Sequence, residues 1–276
     1  MRRVLLAVVA AFAFVCTAAR ADILRLDGVM VQGGLVRGWT QPDARVMFND
    51  IAVRVAADGA FVFGFGRDFG PTAELTVTLP DGKVVRRQLE VKRRQYNIQR
   101  IDGLPPKMVT PSAEALKRIR RENARIAEVR RRDTPATWFQ TGFVWPTQGR
   151  ITGVFGSQRV LNGEPRRPHF GIDIAAPTGT AVTAPADGEI ALANDDLYFT
   201  GGTVMIDHGH GLTSVYSHLS RIDVAVGDKV RQGDVIGAVG STGRSTGAHL
   251  DWRVNWFKQR LDPALLAGPM PGAERR

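Results

Sequence analysis

Two of the five histidines in this chain are followed within four residues by an aspartate, and all five lie in its second half. The first pair is in His169-Phe170-Gly171-Ile172-Asp173. On a straight strand, residues four apart are separated by about 13 Å, too far to share a metal held ~2.0–2.2 Å from each donor. Gly171 lets the backbone bend, and a bend is what both groups need to reach one ion. The second pair is in Gly247-Ala248-His249-Leu250-Asp251-Trp252. Strand residues two apart share a face at a spacing of about 6.6 Å, so His249 and Asp251 can converge on one site while Leu250 turns into the core. In Val215-Tyr216-Ser217-His218-Leu219, alternation puts His218 on the face of Tyr216. Cys16 is the only cysteine, so any metal must be held by histidines and carboxylates. His208 and His210, in Asp207-His208-Gly209-His210-Gly211, read as structural residues of a turn between strands.

These segments occur in a particular order with others: Ala184-Pro185-Ala186-Asp187-Gly188, Gly202-Thr203-Val204, Ile206-Asp207-His208-Gly209, and Thr246 ahead of Gly247. From about Val144 to Pro263 the chain resembles the catalytic domain of the LytM or lysostaphin-type metallopeptidases, the M23 family of cell-wall endopeptidases. The resemblance implies Zn²⁺ as cofactor, with His169 and Asp173 as ligands and with His218 and His249 as catalytic histidines. The family's third ligand is the second histidine of an H-x-H, and here that position holds Asp251. Aspartate is an accepted zinc ligand, so Asp251 is expected to fill the same corner. Two carboxylates and one imidazole would neutralise Zn²⁺ and make it a weaker Lewis acid. Arg253, two residues on, is either an orienting partner of Asp251 or a surface arginine.

The implied activity is hydrolysis of the peptide cross-links of peptidoglycan, with His249 as base and His218 stabilising the transition state. Direct D-alanyl to diaminopimelyl bonds would follow from a Gram-negative setting. Two other readings stand beside it: an inactive LytM-like domain that binds peptidoglycan and activates a cell-wall amidase, and a module that only anchors to the wall. A cell-wall amidase or the division machinery is the partner expected besides peptidoglycan.

The expected fold is mostly β: a small N-terminal β-sandwich, a helical linker and a C-terminal β-sheet peptidase domain. Residues 1–21 read as a signal peptide, with Arg2-Arg3, an apolar run from Val4 to Val15, and Ala19-Arg20-Ala21 before Asp22. The run is short of the roughly 20 residues that span a membrane, so no anchor is expected after cleavage and the mature chain should be periplasmic or otherwise exported. Losing Arg2, Arg3 and Arg20 takes the net charge from +10 to +7, which suits a polyanionic partner. Export turns that expectation away from nucleic acid and toward anionic cell-wall material.

Residues 22–100 alternate in short Val- and Phe-rich segments broken by Asn49-Asp50, Asp58-Gly59 and Asp81-Gly82, which is hairpin chemistry for about seven strands. The linker, 101–138, carries Pro105-Pro106 and then a helix from Pro111-Ser112 to about Asp133, with Leu116, Ile119, Ile126 and Val129 on one face. That helix either packs on one domain as a spacer or leans over the catalytic cleft. The peptidase domain spans 139–266, and 267–276 is a tail. Val224–Val230 with Gly233–Gly237 also resembles a biotinyl or lipoyl carrier hairpin around Lys229, but without the methionine such tips carry, so shared geometry is expected there and not shared function.

Overall fold

The computed structural model describes residues 23–101, 112–161 and 163–272. The expected signal peptide, the Pro105-Pro106 segment with Pro111, and residues 273–276 of the tail lie outside the described residues.

The three turn dipeptides act as their chemistry predicts. Phe48 pairs with Ile51 across the two-residue Asn49-Asp50 loop, and Asn49 adopts the positive φ (48°) that such a turn needs. At the other two, the carboxylates of Asp58 and Asp81 accept the backbone N–H two residues on, while Gly59 and Gly82 take positive φ. Seven strands result, in two sheets. Arg25–Gly28, Leu35–Trp39 and Ala60–Gly64 form one in that order, and Ile51–Val53, Arg45–Phe48, Thr72–Thr78 and Val84–Glu90 form the other. Between them Phe48, Phe61, Phe63 and Phe65 are fully buried.

This core does not stop at the module's edge. Phe48 meets Trp256 of the C-terminal half edge-on, with ring centroids 5.8 Å apart, and Leu261 lies under Gly64. Arg94 pairs at 2.7 Å with the buried Asp262. The strand Ile98–Ile101, at the end of the expected module, runs parallel to Gln158–Leu161 and so belongs to a three-stranded sheet of the C-terminal half.

The C-terminal half is organised on one large sheet. Its strand order is Lys229–Val230, Gly188–Leu197, Gly201–Asp207, Leu212–Leu219, His249–Trp256, Ile172–Ala175 and Arg150–Gly153, with Gln259–Leu261 paired to His249–Trp256. Lys229 sits in a strand opposite Glu189, not at a hairpin tip, consistent with shared geometry alone. Helix α1, Ala113–Val129, is capped by Ser112, whose Oγ accepts the Ala115 N–H at 3.1 Å. It ends four residues before Asp133. Of its expected stripe, Ile119 and Val129 are buried and Ile126 is partly buried, but Leu116 is exposed.

Register tells which face α1 covers. Leu192, Met205, Val215 and Arg253 are successive partners across four strands, so their side chains share one face. Ile126 and Val129 pack on Leu192, Met205 and Val215 of that row. The neighbouring row on the same face runs through Ser217, Asp251 and Asp173. The helix therefore lies on the face that carries both aspartates and walls it on one side.

Candidate metal centre and its histidines

His169 precedes its strand, which begins at Ile172, and the bend falls at Gly171 as its position predicted. A Cβ at Gly171 would come within 2.6 Å of Asp251 Oδ1, of Arg253 and of the Trp252 carbonyl, so glycine is what lets the bend close on the site. The backbone of His169 is held at both ends: its N–H donates to Ser157 and its carbonyl accepts from Gly156, each at 2.8 Å. That loop is braced from the N-terminal module, where buried Arg67 donates to the Gly156 carbonyl at 2.9 Å.

Asp173 and Asp251 are direct partners on adjacent strands. One donor atom each from His169, Asp173 and Asp251 lies within 4.8 Å of the others. His169 Nε2 and Asp173 Oδ1 stand 3.2 Å apart without hydrogen-bond geometry, and both are buried with no other partner. With its proton on Nδ1, the imidazole would present a lone pair to the carboxylate at this distance, an arrangement that a cation between them turns from repulsion into shared ligation. Donors ~2.1 Å from one ion at a tetrahedral angle stand about 3.4 Å apart, so the observed spacing suits a shared zinc. A Cβ at Gly153 would lie 2.2 Å from Asp173 Oδ2, so the strand opposite leaves this carboxylate its room.

Asp251 is almost fully buried. Arg253 answers it with Nε at 2.9 Å from Oδ1 and 3.1 Å from Oδ2, and with Nη2 on Oδ2. Of the two sequence readings of Arg253, the orienting partner is the one found. Burial pushes the Asp251 pKa up, but the Arg253 charge and hydrogen bonds outweigh it and hold the carboxyl below its ordinary range. Oδ1 accepts from Nε alone and so keeps a lone pair that the guanidinium does not use, whereas Oδ2 accepts from both Nε and Nη2.

His249 and His218 stand beside this trio with ring centroids 4.7 Å apart, and His249 Nε2 is 4.0 Å from Asp173 Oδ1. Simple alternation is corrected at His218. Ser217 is the partner of Asp251, so a regular strand would turn His218 to the opposite face with fully buried Tyr216. A left-handed backbone at His218 (φ 67°) swings its ring back to the aspartates instead. Such a conformation costs a non-glycine residue about 1–3 kcal/mol and needs surroundings that enforce it. Here the His218 N–H donates to the Thr200 carbonyl at 2.7 Å.

Backbone carbonyls fix both tautomers. Nδ1 of His218 lies 2.8 Å from the Thr242 carbonyl, and Nδ1 of His249 lies 2.8 Å from that of Gly247. A carbonyl only accepts, so in each neutral ring the proton is on Nδ1 and the lone pair on Nε2. Burial lowers the His218 pKa, against the opposing pull of the Thr242 carbonyl. Sequence reasoning did not find Thr242 or Gly247, because any residue type supplies a carbonyl.

His208 and His210 are structural, as expected. Both are buried; His208 bonds the Asp187 carbonyl and Ser214, and His210 packs on Phe139.

Residues 167–263 match the model of peptidase family M23. The chain is 44% identical over 122 residues to the DD-carboxypeptidase/endopeptidase Mpg of Neisseria meningitidis serogroup B, covering 44% of this chain and 28% of that protein. It is 40% identical over 102 residues to the peptidoglycan DD-endopeptidase ShyA of Vibrio cholerae, covering 34% of this chain and 24% of that protein. This chain thus spans only about a quarter of the length of these curated relatives. A crystal structure from Pseudomonas aeruginosa assigned to peptidase M23 is 31% identical with a TM-score of 0.67, covering 87% of this chain and 95% of that one. With the family's segments at the proposed centre and a relative matched along nearly its whole length, the chain belongs to peptidase family M23.

Proposed function

We propose that this protein is an exported, zinc-dependent endopeptidase that hydrolyses peptide cross-links of peptidoglycan. In this reading His169, Asp173 and Asp251 hold the metal, and His218 and His249 act on the reacting atoms. The observation that carries it is the unpartnered, buried pair of His169 Nε2 and Asp173 Oδ1, 3.2 Å apart. The names of the Neisseria and Vibrio relatives support the substrate class.

Bound zinc would supply Lewis-acid polarisation of the scissile carbonyl. The chain's own groups do the proton work. His249 presents a lone pair at Nε2 beside Asp173 and takes the proton of the attacking water. With Nδ1–H committed to Thr242, His218 can donate only from Nε2 and only when protonated. It then stabilises the developing oxyanion or passes the proton to the leaving amine.

Zinc content and digestion of purified sacculi test this together. His169→Ala, Asp173→Ala and Asp251→Ala should lose metal and activity, since two ligands hold zinc poorly. His218→Ala and His249→Ala should keep the metal and lose activity by about 10²–10⁴-fold. A metal-free, inactive wild type would overturn the enzyme and favour the amidase-activating reading.

A further inference from the structure

Beyond Arg253, three more arginines gather next to the candidate centre. Arg260 is the register partner of Asn255 and bonds its Oδ1, which places it one row along from Arg253 on the site face. Arg130 follows Val129 at the end of α1, whose contact on that face is the Val215 row ending in Arg253. Arg167 lies two residues before His169 and stacks over Phe170, its guanidinium carbon 5.5 Å from the ring centroid; Arg260 approaches the same ring at 5.9 Å. Arg260 and Phe170 also line a cleft of about 380 Å³ that is closed on its other side by Gly66, Asp68 and Phe69 of the N-terminal module.

The carboxylates around this cluster are engaged by other arginines, Asp68 by Arg67. Asp251 is committed to Arg253. Among the described residues none of Arg130, Arg167 and Arg260 forms an ion pair with a carboxylate. The Arg130 Nε is buried with no hydrogen-bond partner at all. Burial first, and then the charges of neighbouring arginines, push the pKa of Arg130 and of Arg260 down. A guanidinium does not give up its proton in a protein, so crowding of this kind appears as affinity for an anion.

We propose that Arg260 and Arg167, with Arg130 behind them, form a subsite that binds a free carboxylate of the peptide substrate beside the metal centre. The planar fork of arginine matches a carboxylate in two parallel hydrogen bonds, and the Phe170 ring holds both guanidiniums in place. This rests on the peptidase reading above and narrows it. In a diaminopimelyl cross-link, the carbon that bears the leaving amine also bears a carboxylate, two bonds from the nitrogen to be released. A subsite next to the metal centre would select such a cross-link over one whose leaving amine sits on an unsubstituted side-chain carbon.

The test is equilibrium binding, without turnover. The mature chain, stripped of metal by a chelator, is titrated calorimetrically with a sugar-free cross-linked dimer of diaminopimelyl tetrapeptides, and with the same dimer amidated at the carboxylate beside the cross-link. Wild type should bind the acid about ten- to hundredfold more tightly than the amide, as for hydrogen bonds to a charged group. In Arg260→Gln and in Arg167→Gln that ratio should fall toward one, while Arg260→Lys should retain part of it. Arg167 lies in an exposed loop, so its variant remains informative should Arg260→Gln fold poorly.

Equal affinity of wild type for acid and amide, binding of neither, or an undiminished ratio in both glutamine variants would overturn the subsite. The two readings fail separately. Selective binding of the acid by a chain that never digests sacculi would remove the enzyme and leave the subsite, whereas digestion without acid selectivity would do the reverse.

Discussion

Replacing Arg253 by methionine keeps an unbranched side chain and removes the guanidinium that answers buried Asp251. The carboxylate is 3% exposed and would lose its contacts from Nε and Nη2. Breaking a buried pair from one side typically costs about 3–5 kcal/mol. A ceiling comes from the alternative of protonation: holding an aspartate of ordinary pKa near 3.9 neutral at pH 7 costs about 4 kcal/mol. The Arg253 side chain is 26% exposed, so part of the pair's strength is already lost to solvent, and about 3 kcal/mol is the better figure. For a chain of this size that lowers Tm by about 6–12 °C. Thermal unfolding of the metal-free Arg253→Met protein should show this deficit at pH 7 and a deficit of less than about 2 kcal/mol at pH 5, where protonation is cheaper. If His169, Asp173 and Asp251 hold the metal as proposed, saturating zinc should then narrow the gap between variant and wild type, because the cation would do the work of the missing guanidinium. A metal-free variant as stable as wild type would refute the electrostatic account of the pair. An equal upward shift of both proteins on adding zinc would remove Asp251 from the ligand set.

Two further outcomes follow from single residues. His208 is fully buried and burial pushes its pKa down to about 4, so the unfolded chain, titrating near 6.5, binds a proton that the folded chain refuses. Its contribution is complete above about pH 6.5 and is lost, by about 3 kcal/mol, as pH falls from there to about 4. Asp207 works in the opposite sense, since burial raises its pKa, so the His208 part is read as the difference in urea midpoints between wild type and His208→Asn; parallel pH profiles would contradict it. Gly153→Ala would place a methyl 2.2 Å from Asp173 Oδ2 on an edge strand and should weaken zinc retention against a mild chelator at least tenfold while the far-ultraviolet circular dichroism is unchanged; full retention would show that Asp173 has slack to move.

How much of this was legible in the sequence varies with the distance over which each feature is decided. The hairpins at Asn49, Gly59 and Gly82, the Ser112 cap and the bend at Gly171 are local, and residue type is enough for them. The convergence of His249 with Asp251 follows from strand alternation. His218 defeats the same rule, because no glycine advertises its left-handed backbone; the Thr200 carbonyl and the strands around it enforce the turn. The end of the N-terminal module was drawn at residue 100, yet Ile98–Ile101 pairs with a strand some sixty positions on, which no local pattern encodes. Which way Arg130 faces likewise cannot be read from the helical pattern until the packing of Val129 shows which face of the sheet the helix covers.

The same step from residue to neighbourhood changes what Asp251 means. Taken alone, an aspartate where the family has a histidine adds a full negative charge to the donor set, and the sequence led us to expect a metal of weakened Lewis acidity. Arg253 alters the count. It is bound to both oxygens of Asp251, and the pair together is neutral, as a histidine would be. His169, Asp173 and the Asp251–Arg253 pair then sum to one negative charge, the same as two histidines and one aspartate. Arg253 also holds the Asp251 carboxyl below its ordinary range despite its burial, which favours the ionised form that a metal ligand needs. Asp251 and Arg253 thus act as a unit, and placing a histidine at position 251 alone would leave a half-buried guanidinium without its partner. An active Asp251→His protein would therefore need Arg253 replaced by a neutral residue as well, since it is the pair that stands in for the imidazole.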